Sequence, residues 1–244
     1  MAEWYREDVA YIHDVGHAEF ALETAPGILE ILARNGVHEG LVVDLGCGSG
    51  LLARELLDAG YRILGIDISE AMIELARRRA PEAEFRVGSL FDADIPPCGA
   101  VTAISEVLNY MFDPENEERG LSRLFRRVHD ALYPGGVFVF DVLGPGQVPP
   151  GSKARGFRVG EDWAVLSERE EDAERRTMAR RIVSFRKVGE HYRRDDEVHR
   201  VRLYDPSELS AALGEVGFRV RTMNSYGEYP LGENHAAFVA RKPA

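Results

Sequence analysis

The chain reads Leu41-Val42-Val43-Asp44-Leu45-Gly46-Cys47-Gly48-Ser49-Gly50 where its first strand is predicted. The first five residues form a short apolar run, which is typical of a strand buried in a parallel sheet. Three glycines follow at alternate positions, and Leu51, Leu52 and Leu56 then return at helical spacing. The stretch therefore predicts a strand, a tight glycine turn and a helix in immediate succession.

The same unit recurs further along the chain. Residues 62–66 form a second predicted strand that ends at Asp67, and Ser69 is predicted to cap the helix that follows it. Further strands are predicted at 84–87, 99–104 and 137–142, and further helices at 19–35, 70–79, 115–132 and 206–216. Strands that alternate with helices predict an α/β fold with a doubly wound, mostly parallel sheet.

A different kind of sequence follows the turn-rich segment 144–151. Between residues 153 and 204 there are 14 Lys and Arg against 11 Asp and Glu, so this part carries +3 and the rest carries −14. Antiparallel strands are predicted at 162–170, 175–188 and 191–204, and two closing strands at 218–223 and 235–241. We expect the three long strands to form a small sheet over one end of the main sheet.

These patterns divide the chain into three predicted regions. Residues 1–40 form an N-terminal helical segment that is a candidate lid. Residues 41–144 and 205–244 form the core of the fold. Residues 145–204 form an antiparallel β insertion after the fifth strand.

Composition limits the classes of function. A net charge of −11 argues against nucleic acid or an anionic membrane as the partner. Two cysteines without zinc-ligand spacing predict reduced thiols and no metal site. The N-terminus lacks the pattern of a secretory leader, and no apolar stretch is long enough to span a membrane, so we expect a soluble, cytoplasmic protein.

The glycine turn and Asp67 together indicate a nucleotide-like ligand. The dinucleotide fingerprint G-x-G-x-x-G would need glycine at position 51, where this chain has Leu51, so a pyrophosphate ligand is disfavoured. A phosphate-binding P-loop is excluded because no Lys-Ser or Lys-Thr pair follows the turn. Asp67 ends the second strand, where an acid can accept hydrogen bonds from both hydroxyls of a ribose.

Two stretches, Val43 to Gly50 and Gly65-Ile66-Asp67-Ile68-Ser69, resemble motifs of the class I S-adenosylmethionine-dependent methyltransferases. The resemblance covers residues 20–143 and extends to the C-terminal segment 209–240, where Gly217-Phe218 matches a common family position. It implies a seven-stranded, Rossmann-like sheet and S-adenosylmethionine as cofactor, with S-adenosylhomocysteine as product. It also implies methyl transfer to an oxygen or nitrogen atom of a small-molecule acceptor.

The resemblance also implies roles for single residues. Asp67 would bind the ribose, the amides of Gly46 to Gly48 would approach the methionine moiety, and Asp44 would buttress the turn. Ser89 or Asp92 would meet the adenine. The full set of implied cofactor-binding positions is Asp44, Gly46, Cys47, Gly48, Asp67, Ile68, Met72, Ser89, Leu90, Ser105, Glu106 and, from the N-terminal lid, Tyr11.

Catalytic candidates come from the residues expected near the acceptor. His199 is the first candidate for a general base because histidine titrates near neutral pH. Tyr110, after the fourth strand, and His17, in the N-terminal segment beside His13, are the others. The period of a strand places Glu197, His199 and Val201 on one face of the last insertion strand.

The arginines of the insertion allow two interpretations. They would bind a carboxylate or phosphate on the acceptor, or they would form cross-strand ion pairs with the intervening acids. The candidates are Arg180, Arg181, Arg186, Arg193, Arg194, Arg200 and Arg202.

Two other classes of protein remain open at this level. One is a regulatory protein that binds S-adenosylmethionine without catalysis, and the other is an NAD-dependent oxidoreductase. A nucleic-acid methyltransferase is disfavoured because Ser105-Glu106-Val107-Leu108 does not match the Pro-Pro-aromatic pattern of base N-methyltransferases. A homodimer through the antiparallel insertion is a further expectation.

Overall fold

A computed structural model of the protein describes residues 4–112 and 118–244. The helices are α1 (Glu7–Gly16), α2 (Glu19–Arg34), α3 (Leu51–Asp58), α4 (Glu70–Arg79), α5 (Glu118–Ala131) and α6 (Pro206–Val216). The first five strands are β1 (Leu41–Leu45), β2 (Arg62–Asp67), β3 (Glu84–Val87), β4 (Cys98–Ala103) and β5 (Leu132–Leu143). The others are β6 (Ala154–Val159), β7 (Trp163–Asp172), β8 (Thr177–Val188), β9 (His191–Arg202), β10 (Arg219–Met223), β11 (Ser225–Tyr226), β12 (Tyr229–Pro230) and β13 (His235–Arg241).

The main sheet has seven strands in the order β10-β13-β5-β4-β1-β2-β3. The strands from β3 to β5 run parallel, whereas β13 is antiparallel to both β5 and β10. The central strands are apolar and buried because hydrophobic clusters pack on both faces of the sheet. The predicted doubly wound, mostly parallel sheet is confirmed.

Local signals set most of the element ends. Ser69 caps α4 by accepting a hydrogen bond from the N–H of Met72 at 3.2 Å. Asp205 caps the start of α6 by accepting from the N–H of Ser207, and Gly217 ends the helix with a φ of 113°. The predicted helix over 115–132 is described from Glu118, and residues 113–117 lie outside the described residues.

The insertion forms a second, four-stranded antiparallel sheet in the order β6-β7-β8-β9. Its first strand, β6, is absent from the prediction because this edge strand is largely exposed and shows no apolar alternation. On β9, Glu197, His199 and Val201 are buried while Val198 and Arg200 are exposed, so the predicted period of two is confirmed.

This second sheet is attached beside the carboxyl ends of β4 and β5. Tyr110, shortly after β4, forms a β-bridge with Val201 of β9. The side-chain amide of Asn109 donates to the carbonyls of Leu143, at the end of β5, and Arg202 at 2.9 and 2.5 Å. The two sheets therefore meet where parallel strands deliver ligand-binding residues.

Two further differences from the prediction concern short elements. Strand β5 begins at Leu132 rather than at residue 137, because it continues through Gly135 and Gly136 to pair with β4. The two-residue strands β11 and β12 form a small hairpin that the sequence pattern did not predict. Among the described residues, no helix is both long and apolar enough to cross a membrane.

Candidate functional site

The glycine turn between β1 and α3 is constrained on one side and open on the other. Gly46, Gly48 and Gly50 have φ angles of 68°, 53° and 76°, which favour glycine. A Cβ on Gly46 would lie 2.6 Å from Cγ1 of Val107. A Cβ on Gly48 would meet open space, and Gly48 lines a cavity. The turn therefore packs tightly against Val107 at Gly46, and it leaves room for a ligand beside Gly48.

The amides of this turn bond to β2. The N–H groups of Gly46 and Cys47 donate to the carbonyl of Ile66 at 2.7 and 3.1 Å. The N–H of Gly48 donates to Oδ2 of Asp67 at 2.9 Å. The resemblance implied that these N–H groups approach the ligand. The structure instead satisfies them within the protein, because the end of β2 supplies the acceptors that they require.

Asp67 is the acid at the centre of the cavity. Its Oδ1 accepts from the N–H of Ser69 at 2.8 Å. Burial raises the pKa of Asp67, although the N–H groups of Ser69 and Gly48 oppose the rise. A carboxylate has about four acceptor positions, and these two N–H groups use two of them. The remaining positions suit hydroxyl donors such as those of a ribose.

The first cavity surrounds this acid and has a volume of about 110 Å³. Among the described residues, no Lys or Arg lines this cavity, and its walls include the apolar side chains of Leu90 and Phe91. An acid, an open glycine and an apolar wall fit S-adenosylmethionine, which carries a ribose and an adenine but no phosphate. The implied positions that line it are Gly46, Gly48, Asp67, Ile68, Met72, Ser89, Leu90 and Ser105.

Asp44 and Cys47 lie beneath the turn and are not among the residues that line the cavity, so Asp44 has the buttressing position that the resemblance implied and Cys47 does not face the ligand. Asp44 accepts a hydrogen bond from Oγ1 of Thr102 at 2.7 Å, and burial raises its pKa to about 7. The Cys47 thiol is buried and faces the carbonyl of Gly48 at 3.7 Å. Both side chains are buried, Asp44 against Thr102 of β4 and Cys47 against the backbone of the turn.

The structure separates the two candidates for the adenine end. Ser89 lines the cavity, and its Oγ accepts from the N–H of Phe91 at 3.0 Å. Asp92 is exposed and does not line the cavity. Of the two, Ser89 has the position from which a ligand can be reached.

A strained turn follows β4 at the other end of the cavity. Ser105 and Glu106 have positive φ angles of 64° and 57°, a conformation that costs non-glycine residues free energy. The buried carboxylate of Asp141, on β5, holds this turn by accepting from both of their N–H groups at 2.9 and 2.8 Å. The two hydrogen bonds to Asp141 thus hold Ser105 and Glu106 in a backbone conformation that they would not otherwise favour.

Asp141 also accepts from two side chains of the C-terminal segment. The hydroxyl of Tyr226 donates at 3.1 Å, and Nε2 of His235 lies 2.6 Å away. Burial opposes a charge on His235, but the hydrogen bond to Asp141 raises the pKa of the imidazole above its ordinary value. One carboxylate thus joins β4, β5, β11 and β13.

A second cavity of about 610 Å³ lies between the core and the inner face of the insertion sheet. Tyr5, His13, Ser105 and Tyr110 line both cavities and mark where they meet. The three predicted catalytic residues His199, Tyr110 and His17 all line this second cavity.

His199 is buried within a hydrogen-bonded pair. Its Nε2 lies 2.6 Å from Oε2 of Glu197. Burial acts to raise the pKa of Glu197, but the hydrogen bonds from His199 and from the N–H groups of Arg6 and Tyr5 together outweigh it, and the pKa is lowered. An ionised carboxylate accepts only, so Nε2 carries the proton. In the neutral imidazole Nδ1 is then the lone-pair acceptor, and it has no partner among the described residues.

His13, in the last turn of α1, and His17, just after it, form a stacked pair with ring centroids 5.6 Å apart. Burial lowers the pKa of His13 to about 4 and also lowers that of His17. Both rings are therefore neutral at neutral pH. His13 reaches the junction of the two cavities, whereas His17 lines only the second.

The residues before α1 tie the cofactor side to the insertion. The N–H groups of Tyr5 and Arg6 donate to the Glu197 carboxylate at 2.7 and 2.9 Å. Ser69 donates through Oγ to the carbonyl of Tyr5 at 2.8 Å. Tyr11 does not line the first cavity, although the resemblance implied that it binds the cofactor. Its hydroxyl donates to Asp162 at 3.0 Å, because its side of α1 faces the insertion sheet.

The implied cofactor-binding role of Glu106 is also not what the structure shows, since Glu106 lines the second cavity rather than the first. Its carboxylate forms a bidentate ion pair with Arg180 of β8, at 2.5 and 2.7 Å. Arg180 also reaches the hydroxyl of Tyr110 at 3.3 Å. Arg200 and Arg202 do not line the cavity, because they alternate with His199 along β9.

Part of the chain matches known methyltransferases in sequence. A family model described as a methyltransferase domain matches residues 42–136. The ubiquinone biosynthesis O-methyltransferase of Alkalilimnicola ehrlichii is 34% identical over 115 residues, which cover 44% of this chain and 43% of that protein. The chain thus matches less than half of that relative.

Solved structures match over the whole fold. An S-adenosylmethionine-dependent methyltransferase from Clostridium acetobutylicum aligns with a TM-score of 0.81 at 19% identity and covers 96% of this chain and 98% of its own. A sugar N-methyltransferase from Streptoalloteichus sp. aligns with a TM-score of 0.79 at 20% identity and covers 100% of this chain and 94% of its own. At these identities the likeness concerns the fold.

Proposed function

We propose that this chain is a class I S-adenosylmethionine-dependent methyltransferase and that it methylates an oxygen or nitrogen atom of a small molecule. The observation that carries the proposal is the junction of the two cavities at Tyr5, His13, Ser105 and Tyr110. One cavity has the acid and glycine turn suited to the cofactor, and the other has room and polar groups for an acceptor. A likeness to a sugar N-methyltransferase supports a small acceptor.

On the cofactor side, Asp67 would accept the ribose hydroxyls, and Ser89 with Leu90 and Phe91 would enclose the adenine. When bound, S-adenosylmethionine supplies an electrophilic methyl group on a positively charged sulfur. The remaining task of the protein is to align the acceptor atom and to remove its proton, and alignment alone contributes much of the rate.

On the acceptor side, His199 would take the proton at Nδ1. Glu197 accepts the hydrogen bond from Nε2 at 2.6 Å, so the free lone pair belongs to Nδ1, and the carboxylate stabilises the imidazolium that forms. The rings of Tyr5 and Phe112 lie 4.8 and 5.0 Å from the imidazole, centroid to centroid, and exclude water from it.

The first test is binding followed by turnover. S-Adenosylhomocysteine should raise the melting temperature, since a ligand at about 100 times its Kd stabilises by roughly 2.7 kcal/mol. NAD should produce no such shift. Release of S-adenosylhomocysteine is then followed over a panel of amines, amino sugars and phenols. The absence of any shift with S-adenosylhomocysteine contradicts the proposal, and binding without turnover of any acceptor favours the regulatory alternative.

His199→Gln should lower kcat by about 10²–10⁴-fold, the usual contribution of a general base. The Kd for S-adenosylhomocysteine should stay unchanged, because His199 lines only the second cavity. The measurement is kcat across pH 6 to 10 in both proteins, and the variant should recover part of the loss at high pH, where more acceptor is deprotonated.

His191→Gln is the matched control, because this exposed histidine lies on the same strand and lines neither cavity. It should retain full activity. A His199→Gln variant that matches the unmodified protein at every pH would remove the base from the mechanism.

A further inference from the structure

Arg169 of β7 lines the second cavity, and its guanidinium forms no ion pair with any described residue. We infer that the methyl acceptor carries a carboxylate or phosphate group and that Arg169 binds it. This inference rests on the proposed function, because it assigns a class of substrate to the cavity proposed for the acceptor.

Three side chains form a row across the inner face of the insertion sheet. Arg169 lies opposite Arg180 in the pairing of β7 with β8, and Arg180 lies opposite His199 in the pairing of β8 with β9. All three line the second cavity. The row therefore runs from the proposed base outward to Arg169.

Among the described Arg and Glu side chains that line the second cavity, all except Arg169 have a partner of opposite charge. Arg180 forms its bidentate pair with Glu106. Arg158 donates to the carbonyl of Gly16 at 2.5 Å and lies 3.6 Å from Glu19. Arg169 is exposed at the cavity wall and forms no hydrogen bond or ion pair with any residue that the structure describes.

The position of Arg169 does not stabilise the sheet. Like charges directly opposite each other on neighbouring antiparallel strands are destabilising, and Arg169 stands opposite Arg180. On the outer face of the same sheet, by contrast, Arg155 and Lys153 both pair with Glu168 at 2.8 Å. An unpaired guanidinium on the inner wall therefore fits a ligand anion, which it can bind through two parallel hydrogen bonds.

The row also indicates the length of the acceptor. Strands β7 and β9 are two strand spacings apart, roughly 10 Å. The anionic group would then lie about that distance from the atom that His199 deprotonates. The volume of about 610 Å³ accommodates a molecule of this length.

The experiment measures anion binding directly, with the protein saturated by S-adenosylhomocysteine and the ionic strength held constant with chloride. The probes are inorganic phosphate and acetate, which separate the two possible anionic groups. At about five times its Kd, the preferred anion should raise the melting temperature of the unmodified protein by roughly 2–4 °C. Arg169→Gln should abolish the shift, and Arg169→Lys should retain part of it.

Arg200→Gln is the matched control, since Arg200 belongs to the same sheet but does not line the cavity. It should keep the full shift. The inference is overturned if neither anion shifts the unmodified protein, if Arg169→Gln shifts equally, or if Arg200→Gln loses the shift as well. Failure of S-adenosylhomocysteine to bind contradicts the proposed function instead, and the anion titration without it still reports on Arg169.

Discussion

Asp67→Ala is expected to raise the Kd for S-adenosylhomocysteine at least about 100-fold. The carboxylate would lose the proposed contacts to the ribose, and each hydrogen bond to a charged group contributes about 1.5–3 kcal/mol. The substitution also leaves the N–H groups of Gly48 and Ser69 without their acceptor. Isothermal titration calorimetry measures the Kd, and circular dichroism reports whether the fold is kept.

Asp92→Ala is the control for this prediction, because Asp92 is an exposed acid close to the same cavity that does not line it. Its Kd should equal that of the unmodified protein. Asp67→Asn keeps one acceptor oxygen and should fall between the two. A folded Asp67→Ala variant with a Kd within threefold of the unmodified protein would show that the acid does not bind the cofactor.

Asp141→Asn is expected to lower the free energy of unfolding by about 3–5 kcal/mol, the usual cost of breaking a buried charged pair. The amide nitrogen of asparagine would face donors where a carboxylate oxygen now accepts. The strained turn at Ser105 and Glu106 would then lose a bond that holds it, and His235 its anionic partner. Urea denaturation measures the difference.

The pH dependence of this loss distinguishes the ion pair from simple packing. Since the folded-state pKa of His235 is raised above its unfolded value of about 6.5, the pair gives its full stability below that value. This contribution disappears as the pH rises through the folded-state pKa. The destabilisation by Asp141→Asn should therefore be larger at pH 6 than at pH 9.

Asp130→Asn, on the exposed side of α5, should leave both stability and its pH dependence unchanged. If Asp141→Asn does not fold, His235→Gln provides the same comparison with one partner altered. An equal loss at both pH values would mean that His235 is not charged in the folded protein.

Short-range patterns predicted the core of the fold well. The apolar runs of β1, β2, β4 and β5, the cap at Ser69 and the glycine turn are local features, and each is where the sequence places it. The same holds for Asp67, because the end of a parallel strand beside a glycine turn is a fixed place in this architecture. The period of two along β9 likewise placed Glu197, His199 and Val201 on one face, although it did not indicate that this face is the buried one.

Residues that act across long sequence distances were missed or misplaced. Asp141 sits inside an apolar strand, and only the pairing of β5 with β13 brings His235 to it. Tyr5 lies before the first helix and reaches the site because Glu197, 192 residues later, accepts its N–H. Arg169 was not among the arginines considered, since an unpaired charge is recognisable only when its neighbours in space are known.

The sequence by itself determined the strand order along the chain, the glycine turn, the acid at Asp67 and the class of cofactor that suits them. These depend on contacts between residues close in the chain, and on a fold in which strand ends always meet at one edge. Only the tertiary structure decided which turn groups face the protein and which face the cavity. It also decided that Glu106 pairs with Arg180 rather than facing the cofactor, and that Arg169 faces the second cavity without a partner among the described residues. The reason is physical: burial and charge balance depend on packing between the core and the insertion, which no local pattern encodes.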